Sequence, residues 1–506
     1  MSTDYYIGFI KISHFSVKEY LMSQYIQNHA VKQVRDFSFN EELSHSVISQ
    51  ICLAYLLQFH TSEPLDINVD VSFPLAKYAA KYWIIHACSG GKTTSQSSSV
   101  FALEMKLLTE ENTAFVNWVR LCDIDDYNFL NIQKQRVEIA KPLYYASMAG
   151  LTEASYALLE MGEDVNAQGG NYGNALQAAS NGGHEAIAKL LIEKGADVYV
   201  QGGIYGNALQ AASYRGHEAI AKLLMEKGAD VNAQGGTYGN ALQAASDGGH
   251  EAIAKLLIED GADLNAQGGY HGNALQAASH RGHDTIAKLL IENGADVNAQ
   301  GEKYRNALQA ASHRGHEAIA KLLIENGANV NAQGGIYGNA LQAASIAGHG
   351  TIAKLLIEKG ADVNAQGGSY GNALQAASTA GPGAIAKLLI EKGADVNAQG
   401  GMYGNALQAA SYGGHEAIAK LLMENGADVN AQGGMYGNAL QAASSGGSKA
   451  IAKLLMENGA DVNAQGGIYG NALQAASIAG HGAIAKLLMG NGADVNAQGG
   501  YYENAL

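Results

Sequence analysis

Two short stretches carry residue types suited to catalysis. The run "HEAIAK", first met at His184, opens like HExxH, in which two histidines one helical turn apart hold zinc and the glutamate serves as base. The residue four after His184 is Ala188, and no other copy of the run supplies a second His. "CSGGKTTS", residues 88–95, ends like GxxxxGK[ST], a loop whose backbone N–H groups wrap phosphate. Its first glycine would fall at His86, and the preceding "AKYWIIHA" reads as helix rather than strand. Acidic residues recur with a repeat rather than as a private pair. Cys52, Cys88 and Cys122 show no CxxC spacing, so neither a disulfide framework nor a zinc site is expected. The expectation is a protein with no enzymatic activity, no resident metal and no cofactor.

A third group suits recognition. Arg215, His280, Arg281, Lys303, Arg305, His313 and Arg314 are basic or titratable, in a chain whose formal net charge is -15. Such a stripe suits an acidic peptide or a phosphate group. The alternative is a solvated face in which these residues pair with Asp247 and nearby Glu. Overall charge of this sign argues against nucleic acid and anionic membranes as partners. The longest apolar stretch, "ICLAYLLQF", is too short to span a bilayer, and "MSTDYYIGFIKISHF" is no signal peptide. A cytoplasmic location follows as the expectation.

These residues are positioned by a repeat. The Asn of "NAL" recurs at 174, 207, 240, 273, 306, 339, 372, 405, 438, 471 and 504, always 33 residues apart. A fainter copy starts at Lys141. The reading is therefore a helical segment at 1–140 and an array at 141–506, divided into a degenerate repeat (141–173), ten full repeats (174–503) and a truncated one (504–506). Within a unit, Asn174 suits a helix N-cap for "ALQAAS". "NGGH" breaks that helix, Glu185–Lys194 form a second one with Ile187, Leu190 and Leu191 on one face, and Gly195 ends it. "ADVNAQGG" then leads to the next cap as an extended turn. A hairpin of this kind has apolar residues on both sides, so it must stack on copies of itself as an all-α solenoid.

"NALQAAS", standing where the ankyrin repeat has its TPLHxAA run, followed by "GHEAIAKLLIEKGADVNA" at a period of 33, resembles the ankyrin repeat over about 365 of 506 residues. The chain departs from that pattern with Asn for Thr, Ala for Pro, Gln for His, and "GGxYGN" at the hairpin tip. The resemblance implies a concave face lined by the ends of the inner helices and by the tips. Variation between copies falls on those positions: the letters after "QAAS", among them Tyr214, Arg215, Asp247, His280, Arg281, His313, Arg314, Ile346, Thr379, Tyr412, Ser445 and Ile478, and the residue before each tip Tyr, such as Ile204, Tyr270, Lys303 and Met402. Together with Arg305, these are the candidate contacts for a protein partner. Drift of exposed positions after duplication is the competing account. The tip tyrosines form a ladder interrupted by His271, and packing between adjacent tips is the expected reason for it.

Residues 1–140 read as helical, with Asn40 capping "EELSHSVISQICLAYLLQF" and a further helix in "PLAKYAAKYWIIHA". "ISHFSVKEYLMSQYI" and "FPLAKYAAKYWIIHA" resemble the winged-helix-like segment that follows the NTPase module in fungal NACHT-type, NLR-like ankyrin proteins, over roughly residues 8 to 90. That resemblance implies the sensor half of a signalling protein, or a truncated gene model, because nothing here corresponds to the ATP site. The array stops in mid-repeat at "YYENAL", so self-association through an uncapped last repeat is a further expectation. The functions left open are an interaction scaffold, a fragment of an ATP-driven switch, and a structural array without a specific ligand.

Overall fold

The computed structural model describes residues 41–60, 65, 69–90, 99–109, 113–125, 131–301 and 305–500. The described residues are helical, with isolated two-residue bridges at the loop tips and no strand. The chain divides into two compact units, one running to Ala212 and taking in Ala219–Ala229, the other comprising Ser213–Glu218 and everything from Asp230.

In the first unit, helix Glu41–Leu56 packs on Ala76–Ser89, near the bounds expected from Asn40 and "PLAKYAAKYWIIHA". Trp83 and Trp118 meet edge to face at 5.3 Å, and the Trp118 indole N–H donates to the Ala80 carbonyl at 3.0 Å. The stretch "ISHFSVKEYLMSQYI", residues 91–98 and with them much of "CSGGKTTS" and of the winged-helix resemblance lie outside the described residues.

The degenerate repeat is a true hairpin, Pro142–Ala149 and Thr152–Glu160, with Pro at its first helical turn and Gly150 in the left-handed region. Tyr145 joins it to the preceding helices, its ring 5.6 Å from Phe115 and 5.8 Å from Trp118. Tyr144 donates its hydroxyl to Asp125, and Asp125 accepts the Asn171 N–H at 2.7 Å. Asp125 thus holds the first tip by a side chain, where later tips use a backbone carbonyl.

The second unit stacks near-identical hairpins, and one suffices to show why they form. Asn273 lies in extended backbone and accepts the Gln276 N–H at 2.8 Å, which starts the inner helix Ala274–Arg281; Gly282 ends it at φ 83. The Cβ of any other residue at 282 would stand 2.4 Å from the His316 ring of the next repeat. The outer helix Asp284–Glu292 buries Ile286, Ala287 and Leu290 completely. The inner helix buries Ala277 and Ala278 equally, and these small side chains let neighbouring inner helices approach. Neither face is covered within its own hairpin, so burial comes from stacking.

Candidate binding surface

Most of the repeated letters are committed to bonds between repeats. The Gln of "NALQAAS" reaches under the next tip: Gln243 Nε2 donates to the carbonyls of Ala266 at 2.9 Å and Gly272 at 2.8 Å. The His before each outer helix reaches back one repeat, as His250 Nε2 donates to the Tyr214 carbonyl at 2.9 Å. The Asn of "DVNAQ" reaches forward, as Asn298 donates to the Gly327 carbonyl at 3.1 Å and accepts the Asn329 N–H at 2.8 Å. None of these three roles was read from the sequence. Their acceptors are mostly main-chain carbonyls, which carry no sequence signature, and only an unexplained constancy of Gln, His and Asn marks them.

The tips are tied by main chain. Gly268 N–H donates to Gly272 at 2.7 Å across its own tip, and the residue before the tip aromatic donates to its counterpart one repeat earlier: Ser369 to Ile336, Met402 to Ser369, Met435 to Met402 and Ile468 to Met435, at 2.9 to 3.0 Å. This approach explains the second tip glycine. At Gly269, φ is 61, and a Cβ would lie 2.3 Å from the Tyr238 carbonyl carbon. The tyrosine ladder packs as expected, with Tyr403 and Tyr469 stacked on either side of Tyr436 at 6.0 and 6.1 Å.

Against this constant frame the variable letters separate into two kinds. In several repeats the first letter after "QAAS" packs on a tip ring. Tyr214 stacks on Tyr238 at 4.2 Å, His313 on Tyr337 at 4.4 Å and Tyr412 on Tyr436 at 4.6 Å. The Tyr337 hydroxyl and His313 Nε2 are 2.8 Å apart. Ile346 packs against the same Tyr337 cluster, Thr379 is half-buried with its hydroxyl donating to the Gln375 carbonyl at 2.9 Å, Ser445 is half-buried and Ile478 is exposed. The second letter faces outward: Arg215, Arg281 and Arg314 are exposed. So are most letters before the tip aromatics, with Tyr270, Ile336, Met402 and Ile468 between 42% and 53% accessible and Met435 half-buried.

Asp247 and His280 depart from the surface role expected of them, because both are buried. Asp247 accepts from His271 Nε2 at 2.8 Å and from Arg281 Nε at 2.7 Å. Burial alone would raise its carboxyl; the hydrogen bonds from His271 and Arg281 prevail and bring it below the ordinary carboxylate range. His280 accepts from Arg314 Nε at 2.8 Å and lies 4.5 Å from the His271 ring. Burial, reinforced by the neighbouring His271, Arg314 and Arg281 charges, lowers it to about 3, so it is neutral at pH 7. Of the basic stripe, Arg281 pairs with Asp247, and the acid lies beneath it rather than beside it. Above it lies an open cleft of about 430 Å³ between Arg215 and Arg281, where Gly248 leaves a gap in the register. Lys303 lies outside the described residues, and Arg305 sits in a tip.

No group of three or more His, Cys, Asp or Glu side chains among the described residues is placed to hold a metal, and none of the described helices is long and apolar enough to cross a membrane. The family model described as "Ankyrin repeats (3 copies)" matches residues 107–202, 203–268, 242–334, 274–367, 342–433 and 406–499. The chain is 39% identical over 186 residues to the azaphilone pigments biosynthesis cluster protein L of Monascus ruber, a match covering 34% of this chain and 38% of that protein's length. Among solved structures, the human ASB11 ankyrin repeat domain is similar at 26% identity and a TM-score of 0.39, covering 44% of this chain and 98% of its own.

Proposed function

We propose, from the premise that the chain belongs to the ankyrin repeat family, that its array is a scaffold whose inner-helix ends and tips bind a protein partner. One observation carries the proposal. In an array whose constant letters are held by internal bonds, one set of the letters that change is exposed: Arg215, Arg281 and Arg314 at the helix ends, and Ile336, Met402 and Ile468 at the tips. A rigid frame lowers the ordering cost of binding, and the outward letters then set which partner fits.

The test uses the full chain as bait. Replacing those six residues with Ala should leave helix content unchanged, with some loss of thermal stability from unpairing the buried Asp247, while abolishing capture of the partner. An unchanged set of captured proteins would overturn the proposal and favour a structural array without a specific ligand.

A finer reading assigns the chain to NLR-like signalling, with residues 1–140 transmitting recognition to an NTPase. It is supported by the resemblance over residues 8 to 90 and by the packing of Tyr145 against Phe115 and Trp118, through which a shift of the first hairpin reaches the preceding helices. Adding the partner to a mixture of this chain and a NACHT-type NTPase should change the rate of ATP hydrolysis. No change would sink the finer reading alone.

A further inference from the structure

The tips end on glycine before their capping Asn at 173, 206, 239, 272, 338, 371, 404, 437 and 470, with φ between 88 and 107. Residue 305 stands in that place and is arginine, with φ 65, the one non-glycine residue of positive φ among those described. An L side chain is disfavoured there, and departures of this kind concentrate where a site needs the side chain. The four arginines of the array, Arg215, Arg281, Arg305 and Arg314, all fall within residues 215–314.

The side chain changes its surroundings. In flanking repeats the oxygen of the Gln before the glycine pair closes over the first glycine of the following tip: Gln234 Oε1 lies 2.9 Å from the Cβ position of Gly268, Gln333 Oε1 2.9 Å from that of Gly367, and Gln366 Oε1 2.7 Å from that of Gly400. At Gly334 the nearest atoms are instead Nε, Cδ and Cγ of Arg305, and at Gly301 the nearest is Gln276 Oε1. The corresponding glutamines, Gln267 and Gln300, line a cavity of about 700 Å³ together with Arg305 and glycines of three successive tips. Arg305 Nε is shielded from solvent there and makes no hydrogen bond.

We infer that this cavity is an anion site, which takes an acidic side chain of a protein partner, carboxylate or phosphorylated, against the Arg305 guanidinium. The described residues that line it offer one guanidinium, two side-chain amides and main chain bare of Cβ atoms. A guanidinium presents parallel N–H donors that match the two oxygens of a carboxylate or phosphate. Glycine lets such a group come close to the backbone. Three of the four arginines are already engaged, Arg281 with Asp247, Arg314 with His280 and Arg215 with neighbours of its own, whereas Arg305 Nε, packed against Gly334, makes no hydrogen bond. The inference rests on the reading of the array as a protein-binding scaffold and specifies part of what it binds.

The test measures fluorescence anisotropy of a labelled hexaglutamate peptide, and of the same peptide carrying phosphoserines, against the full chain at low salt. Arg305→Gly restores the residue of the other tips and so keeps the fold. Binding to wild type, weakened about tenfold or more by R305G, retained in part by R305K and competed by inorganic phosphate, supports the site. Preference for one peptide then identifies the carboxylate or the phosphate as the source. Equal binding by R305G, or no binding of either peptide to wild type, overturns it. The two ideas fail separately: R305G would then bind like wild type while the six-residue variant still loses its partner, whereas failure of the scaffold reading leaves that variant's capture intact.

Discussion

Asp247 and Arg281 belong to adjacent repeats, 34 residues apart, and meet through two hydrogen bonds, Nε to Oδ1 at 2.7 Å and Nη2 to Oδ2 at 3.1 Å. The acid side chain is 1% accessible and the guanidinium 44%, so the pair is fixed from below and open above. Asp247→Ala removes the acceptor of both Arg281 and His271. It should lower stability by about 2 kcal/mol, the scale of charge-assisted bonds to a buried carboxylate. Urea unfolding together with amide exchange across residues 270–282 measures this; an unchanged midpoint and unchanged exchange would show that the pair contributes nothing.

The neighbouring His280 makes stability depend on pH. Its folded value is about 3 against an ordinary 6.5. Between these values the unfolded chain binds a proton that the folded chain refuses. Stability therefore falls as pH drops through that window, by at most about 1.4 kcal/mol per pH unit. Asp247, whose folded value is lowered, adds stability that is present above the ordinary carboxylate range and lost as pH falls through its folded value, so both slopes have the same sign. His280→Tyr, the residue found at 214 and 412, should flatten the dependence of melting temperature on pH between 6.5 and 4. Parallel curves for variant and wild type would refute this.

Gln342 donates through one nitrogen to the carbonyls of Ala365, Gly367 and Gly371, at 3.2, 3.3 and 2.7 Å. Gln342→Ala leaves those carbonyls without that donor and should cost about 1 to 3 kcal/mol. The loss should be local, visible as faster amide exchange at 365–371 with little change in distant repeats. Slow exchange there in the variant would show that the side chain is dispensable.

Arg305→Gly has an effect on stability separate from any ligand. Removing an L side chain from φ 65 should stabilise the chain by about 1 kcal/mol, offset in part by the greater freedom of glycine when unfolded. A small rise in melting temperature is expected, and a fall of several degrees would mean that the Arg305 side chain contributes more to packing than its backbone costs.

The period, the Asn caps and the apolar faces were legible in the sequence, because caps and helical spacing are local signals: Asn273 needs only Gln276, and Ile286 only Leu290, to be recognised. What joins one repeat to the next was not. Gln243, His250 and Asn298 act on main-chain carbonyls 23 to 36 residues away, and such acceptors look alike in any sequence. The candidate surface was legible in part. Variation marked the right helix ends and tips, but it could not tell Arg281, which faces solvent, from Asp247, which sits beneath it, because both read as polar letters at the end of an inner helix. The sequence did single out His271 as a gap in the tyrosine ladder, but not its bond to Asp247, since that pairing depends on how one tip leans over the previous repeat.

The amide links that join Ile336, Ser369, Met402, Met435 and Ile468 draw on atoms every non-proline residue possesses. A freshly duplicated unit therefore arrives already fastened, with its outward letter unassigned, and new specificities can be composed there much as a printer swaps type in a locked frame.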